Sequence, residues 1–180
     1  MIRRRRDLAA WAQDLYATFG PSIAELLGID EPPAIRTHVA REGAGAAWTS
    51  GVDVYLSSRW FAAHPDDVGG CLHEFAHAMM RAPIYDDSTA WLIEGIADYV
   101  RDVLGHSASW TFAHHEPGKA TAGYQTTADF LIWLESTNPG AVRALSRRLA
   151  EGSYAESAFV DLTGRPLGAC VDTYEAARAG

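Results

Sequence analysis

The chain has 180 residues, of which 48% are hydrophobic and 21% are charged, and its formal net charge is −8. These proportions are typical of one folded domain over residues 1–180 and exclude a disordered chain. The acidic balance excludes non-specific nucleic-acid binding as a main function, and the absence of an 18-residue apolar run excludes a transmembrane helix.

The N-terminal part of the chain predicts helices followed by a small sheet. An apolar stripe predicts a helix over residues 7–19, which Gly20-Pro21 is expected to end, and a shorter helix follows over residues 22–27. Alternation of apolar and polar residues predicts a strand over residues 34–40 and a hairpin over residues 46–57. The sheet therefore precedes the rest of the fold.

The remainder of the chain is predicted to be mainly helical. His64-Pro65-Asp66-Asp67 is typical of a helix start, and Pro83 follows the expected end of that helix. An irregular loop is predicted over residues 105–123. Helices are predicted over residues 67–81, 89–104, 124–136, 141–149 and 167–177. The fold class is α+β, with a small N-terminal sheet and a mainly helical C-terminal half.

The chain start and the cysteines bear on the cell compartment. No apolar stretch of the length of a secretory signal follows the basic run Arg3-Arg4-Arg5-Arg6, so we expect a cytoplasmic protein and treat this run as a solvated helix start. Two cysteines do not form a disulfide framework. Cys71 lies on a different side of its helix from the nearby histidines, and we expect a buried thiol.

The segment His73-Glu74-Phe75-Ala76-His77 is an HExxH motif on a predicted helix. Because a helix repeats every 3.6 residues, two histidines four positions apart lie on one face and can bind a single ion. Glu74 can reach a water on that ion without binding the metal itself. The motif predicts a zinc hydrolase, and the alternative is that both histidines are ordinary core residues.

Glu94 and Asp98 repeat the four-residue spacing on the next predicted helix. They lie in the otherwise apolar segment 91–100, where two acids are costly unless they are paired or bound to metal. We predict Glu94 as the third metal ligand and Asp98 as the acceptor for the second N–H of a ligating histidine, although the spacing also allows the opposite assignment. Gly95 beside them predicts a close approach of the two motif helices.

Three protein ligands and one open position are what a catalytic zinc ion requires, so we expect one Zn²⁺ per chain. Glu74 would take a proton from the attacking water and return it to the leaving group. Two other classes stay open at this point: a zinc hydrolase of a non-peptide substrate, and a metal-bound module without catalysis. Glu74 argues against the latter, because a structural metal site has no use for a base.

The sequence resembles the plant basic secretory protein family and its bacterial relatives, which are zinc peptidases of the gluzincin type. The resemblance rests on the HExxH motif, on the segment Trp91-Leu92-Ile93-Glu94-Gly95-Ile96-Ala97-Asp98-Tyr99-Val100-Arg101 and on Gly123-Tyr124-Gln125-Thr126-Thr127-Ala128-Asp129-Phe130-Leu131. It implies a zincin-like fold and peptide or protein substrates. From the acidic charge and the lack of a long apolar run, we expect no nucleic-acid or membrane partner. The resemblance also implies the ligands His73, His77 and Glu94, the base Glu74 and the supporting acid Asp98.

Two positions depart from the family pattern: Met80 stands where a glutamine is usual, and Cys170 where a tryptophan is expected. The acidic charge and the expected absence of a signal sequence also differ from what the family name describes. These departures leave the metal ligands intact and concern substrate preference and location.

Two further predictions concern the groups around a bound substrate. Tyr124 is the first candidate for the donor that stabilises an oxyanion, ahead of His114 and His115 in the irregular loop. The strand over residues 52–56 is expected to be an exposed edge that holds an extended peptide by backbone pairing, with Asp53 and Tyr55 lining the cleft.

Overall fold

The computed structural model describes residues 5–41, 45–106 and 115–179. Its architecture is α+β, as predicted, with a small sheet near the N-terminus and helices in the rest of the described chain. The elements are α1 (Arg5–Leu27), β1 (Arg36–Ala40), β2 (Ala47–Ser50), β3 (Asp53–Ser57), α2 (Ser58–Ala63), α3 (Val68–Met80), α4 (Ala90–Val103), α5 (Tyr124–Thr137), α6 (Ala141–Ala150), α7 (Ala158–Thr163) and α8 (Leu167–Ala179).

The first helix corrects the prediction that Gly20-Pro21 separates two helices, because α1 continues through both residues. Proline inside a helix removes one backbone hydrogen bond and costs about 3 kcal/mol. Burial beyond the proline opposes this cost, since Ile23 and Leu27 are fully buried and extend the apolar face of the helix. Gly20 packs close to the Met79 side chain of α3. Tertiary packing therefore overrides the local signal for a helix end.

The three strands form one sheet in the order β1-β3-β2. β2 and β3 form the predicted hairpin, and β1 pairs with β3 in parallel. The prediction that the strand over residues 52–56 is an exposed edge was wrong, because β3 is the central strand and has a neighbour on each side. Alternation identifies a strand but carries no information about which strands flank it.

Asp53 and Tyr55 are accordingly not at a free sheet edge. The Asp53 carboxylate accepts hydrogen bonds from the Arg36 guanidinium at 2.6 and 2.7 Å. The ring of Tyr55 is stacked between the rings of His38 and Trp48. Both side chains are on the face of the sheet opposite Val54 and Leu56, which are fully buried.

Two short helices, α2 and α7, were not predicted from the sequence. The side chain of Ser57 caps α2 by accepting a hydrogen bond from the backbone N–H of Trp60 at 3.2 Å. Residues 115–123, the described part of the predicted irregular loop, contain neither helix nor strand, as expected. Residues 107–114 of that loop lie outside the described residues, as do Arg3 and Arg4 of the basic run.

The core is built around α3 and α4, and Gly95 explains how closely α4 packs. A Cβ atom at Gly95 would lie 2.1 Å from Cγ2 of Thr127 on α5. The predicted close approach therefore exists, but its partner is α5 and not the HExxH helix. Cys71 and Cys170 are both free and buried. Within the described ranges, no helix is both long and apolar enough to cross a membrane.

Candidate metal centre

The HExxH segment lies in the middle of α3, which is anchored at both ends. At its start, the carboxylate of Asp67 accepts hydrogen bonds from the backbone N–H of Gly70 and from the indole N–H of Trp60, both at 2.9 Å. At its end, Arg81 adopts the left-handed conformation, with φ 43°. The predicted helix start at Asp67 is confirmed, and α3 carries the HExxH residues between these two ends.

The three predicted ligand atoms meet in a compact triangle. Nε2 of His77 lies 3.0 Å from Nε2 of His73, and Oε2 of Glu94 lies 3.2 Å from His73 Nε2 and 3.5 Å from His77 Nε2. Four ligands at about 2.05 Å from a zinc ion are separated from one another by roughly 3.3 Å in a tetrahedral arrangement. The triangle therefore has the dimensions of one tetrahedral face, and these residues could hold a metal ion.

Asp98 lies behind this triangle. Its Oδ1 is 2.8 Å from Nδ1 of His73, and the residue is 3% exposed. A carboxylate can only accept, so the hydrogen bond places a proton on Nδ1 of His73 and leaves the lone pair of Nε2 for a cation. The structure therefore brings Glu94 to the ligand triangle and Asp98 to the opposite ring nitrogen, which is the assignment that the sequence favoured.

The electrostatic surroundings of His73 stabilise a positive charge at its ring. Burial alone disfavours the charged form, but the hydrogen bonds with Asp98 and Glu94 outweigh it and raise the pKa of His73 to about 10. Burial of Glu94 likewise opposes its ionisation, yet the hydrogen bonds with His73 and His77 hold its pKa well below the usual range. A cluster that stabilises an added proton also stabilises a metal cation at the same atoms.

The carboxylate of Glu74 accepts a hydrogen bond from a residue that the sequence did not indicate. The hydroxyl of Thr49 on β2 lies 2.7 Å from Oε2 of Glu74 and 3.1 Å from the Glu74 carbonyl oxygen. Glu74 is largely buried and lines the same cleft as the ligand triangle. No sequence signal indicates this contact, because Thr49 and Glu74 belong to different elements, 25 positions apart.

Tyr85 is a second residue that the sequence did not reveal. Its hydroxyl donates a hydrogen bond to Oε1 of Glu94 at 2.7 Å, while the other oxygen of that carboxylate belongs to the triangle. Burial of the hydroxyl and the negative charge of Glu94 raise the pKa of Tyr85. The side chain is otherwise 61% exposed and lines the cleft. Tyr85 thus holds one carboxylate oxygen and leaves the other for an ion.

Tyr124, the first candidate for an oxyanion donor, also lies beside the triangle. It begins α5 with a positive φ of 49°, and its ring is stacked over that of His73 with the ring centres 6.1 Å apart. It is 55% exposed and lines the cleft. Partial burial, together with the charge of Glu94, raises its pKa.

Of the other two oxyanion candidates, His115 does not line the cleft. Nε2 of His115 is 2.7 Å from Oε2 of Glu175 on α8, so this histidine connects the loop to the C-terminal helix. His114 lies outside the described residues. Among the three candidates, Tyr124 is therefore the one that the described structure brings next to the ligand triangle.

A cleft of about 800 Å³ opens onto the ligand triangle. β2 forms one wall through Ala47, Trp48 and Thr49, while Asp53 and Tyr55 are not part of the lining. Met80 lines the cleft together with Arg81. It stands where the family that the sequence resembles usually has glutamine. Cys170, the second departure, is buried on α8 with its sulfur 3.3 Å from the Thr163 hydroxyl.

The family profile BSP, described as "Peptidase of plants and bacteria", matches residues 25–174. Comparisons with curated proteins and with solved structures gave no match. The matched range includes the whole ligand triangle and Glu74, and it confirms the resemblance drawn from the motifs. The chain therefore belongs to the BSP family, the peptidases of plants and bacteria.

Proposed function

We propose that this chain is a zinc-dependent peptidase with a single zincin-like domain of the gluzincin type. In this proposal His73, His77 and Glu94 hold one zinc ion per chain, and Glu74 is the general base. The observation that carries it is the triangle of donor atoms, 3.0 to 3.5 Å apart, at the bottom of a cleft that Glu74 also lines.

The donor set itself favours zinc. Two imidazoles and one carboxylate, with one side of the triangle facing an open cleft, are the ligands of catalytic zinc sites in peptidases. Magnesium and calcium prefer six or more oxygen ligands, and this cluster offers too few. When bound, zinc supplies a Lewis acid that polarises a carbonyl and lowers the pKa of a water molecule to about 7.

Different side chains of the cleft then transfer the protons, orient His73 and stabilise the developing negative charge. Glu74 accepts the proton of the attacking water and donates it to the leaving amine, with Thr49 fixing one carboxylate oxygen during both transfers. Asp98 holds the His73 tautomer. Tyr124 is proposed as the donor to the developing oxyanion, because its phenol stands at the rim of the triangle, next to His73.

A peptide substrate is favoured by the position of β2. This strand is at the edge of the sheet and lines the cleft, so an extended peptide could pair with its backbone. The role that the sequence suggested for the strand over residues 52–56 is thus proposed for β2 instead. Pairing of backbones also suits an enzyme that accepts a range of peptide sequences.

Replacing Glu74 with Gln tests the proposal. The amide keeps the shape of the side chain but cannot accept a proton, so peptide hydrolysis should fall by at least about 100-fold while the protein still binds one zinc ion. We would measure metal content by mass spectrometry and cleavage on a proteome-derived peptide library. Glu25→Gln, which makes the same change on the exposed surface of α1, is the matched control.

Three results would contradict the proposal. Full turnover by the Glu74→Gln protein with zinc bound would remove Glu74 as the base. A wild-type protein that binds zinc and cleaves no member of the library would remove the peptidase assignment. Zinc content that is unchanged in the His77→Ala protein would show that the metal binds elsewhere.

A further inference from the structure

Three stacked aromatic rings cross the outer face of the sheet. Tyr55 on β3 is directly opposite both His38 on β1 and Trp48 on β2 in the strand register. The ring centres of His38 and Tyr55 are 4.8 Å apart at 20°, and those of Tyr55 and Trp48 are 5.1 Å apart at 4°. We call this row the ring ladder. It runs across all three strands and ends at the edge of the sheet.

The ring ladder ends in the proposed substrate cleft. Trp48 is partly exposed and lines the cleft, and the adjacent residue Thr49 contacts Glu74 from the opposite face of the same strand. Within the described ranges, Tyr55 is the ring stacked on Trp48, and no strand pairs with the outer edge of β2. At its Trp48 end, the ladder can therefore be extended from the side of the cleft.

The hydrogen-bond phase of β2 determines how a peptide would meet Trp48. The N–H of Ser57 donates to the carbonyl of Ala46, directly opposite, at 2.9 Å. Because hydrogen-bonded and non-hydrogen-bonded pairs alternate along antiparallel strands, Trp48 turns its backbone groups toward β3. Ala47 and Thr49 turn theirs toward the free edge. A peptide that pairs antiparallel to β2 and bonds to Ala47 and Thr49 would have one residue opposite Trp48 in a non-hydrogen-bonded pair, where side chains come closest.

We propose that Trp48 is a specificity-determining residue that selects an aromatic side chain at the substrate position opposite it. The inference rests on the proposed peptidase function and names its substrate class: peptides with a phenylalanine, tyrosine or tryptophan at this one position. The substrate ring would be the fourth ring of the ladder. Since the existing rings are nearly parallel, a flat ring fits the exposed face of the indole better than a branched aliphatic side chain.

The test uses the sequence of one library peptide that the wild-type enzyme cleaves. Each position is replaced in turn by Phe, Leu and Arg, and kcat/KM is measured for every peptide. At one position, Phe should exceed Leu by roughly 2- to 12-fold, the range expected for one stacked aromatic pair. Trp48→Ala should abolish this ratio at the same position, and Trp48→Phe should keep part of it.

His38→Ala is the matched control, because it removes the ring at the far end of the ladder and leaves the indole face in the cleft unchanged. This variant should retain the wild-type Phe-to-Leu ratio. Thermal unfolding of each variant separates loss of selectivity from loss of fold. The inference is overturned if no position prefers Phe, if Arg is preferred over Phe there, or if the preference persists in Trp48→Ala.

A binding measurement keeps this inference separate from the peptidase proposal. The Glu74→Gln protein with zinc bound is titrated with the Phe and Leu peptides by fluorescence anisotropy, with and without Trp48→Ala. Tighter binding of the Phe peptide, dependent on Trp48, supports the ladder even when turnover is absent. Equal binding of both peptides overturns it, whereas cleavage without aromatic preference leaves the peptidase proposal standing alone.

Discussion

Tyr85→Phe is the most direct test of how the ligand triangle is held. The substitution removes only a hydroxyl, which donates to Oε1 of Glu94 at 2.7 Å. A hydrogen bond to a charged group contributes about 1.5 to 3 kcal/mol, and the lower end applies here because Tyr85 is largely exposed and water can replace the lost donor. At about 1.4 kcal/mol per factor of ten, the zinc affinity should weaken roughly 10-fold.

The assay is competition for zinc against a chelator of known affinity, with the Tyr85→Phe protein compared with the wild type. Tyr154→Phe makes the same change outside the cleft and is the matched control, expected to leave the zinc affinity within about twofold of wild type. At saturating zinc, the catalytic efficiency of Tyr85→Phe should change by less than about threefold, because Tyr85 is assigned to positioning and not to the reacting atoms.

Two results would refute this reasoning. An unchanged zinc affinity would mean that the Tyr85 hydroxyl does not help to hold Glu94. If turnover at saturating zinc instead drops by about 100- to 1,000-fold, which is the cost of losing one oxyanion donor, Tyr85 would be identified as that donor. In that case the role proposed for Tyr124 would pass to Tyr85.

Three further predictions concern Glu74, the packing of α4 and the C-terminal helix. Thr49→Val should lower kcat/KM roughly 10-fold at unchanged zinc content, since Glu74 loses a hydrogen bond to a charged group. Gly95→Ala should lower the free energy of unfolding by about 1 to 3 kcal/mol in urea titrations, and Thr127→Ser should recover part of it by removing the methyl group that the new Cβ would meet. The hydroxyl of Tyr174 donates a hydrogen bond to Asp129 at 2.6 Å, and burial together with that carboxylate raises the pKa of Tyr174. The contribution of this hydroxyl to the stability of the folded state is therefore complete below pH 10, and it is lost as the pH rises through the higher pKa of the folded state. The difference in melting temperature between wild type and Tyr174→Phe should therefore shrink above pH 10.

The grouping of the proposed ligands was accessible from the sequence because helix periodicity fixes their spacing locally. His73 and His77 lie one turn apart on α3, and the four-residue spacing of Glu94 and Asp98 repeats this on α4. The apolar surroundings of the two acids indicated that they need buried partners, and the structure supplies His73 for both. The sequence did not show directly that α4 packs against α3, and this contact had to be inferred.

The remaining features depend on contacts between elements that are distant in sequence. The strand over residues 52–56 was wrongly predicted as an exposed edge because the alternating pattern of β3 is the same whether one or two strands flank it. The sequence predicts a helix end at Pro21 because the local cost of proline is evident from the sequence, whereas the burial of Ile23 and Leu27 is not. The contacts of Thr49 and Tyr85 were not predicted for the same reason, since neither residue belongs to a periodic motif.

In the proposed reaction, β2 both binds the substrate and positions the general base. Thr49 faces α3 and fixes the carboxylate of Glu74, whereas its neighbour Trp48 points to the outer face and ends the ring ladder. The backbone of the same strand, at Ala47 and Thr49, is the part that would pair with a peptide. A shift of β2 relative to α3 would therefore misplace the substrate and the base together, while the ligands on α3 and α4 would stay in position. Metal binding and catalysis should thus be separable by mutation: changes in β2 reduce turnover at full zinc occupancy, and changes around Glu94 reduce the occupancy itself.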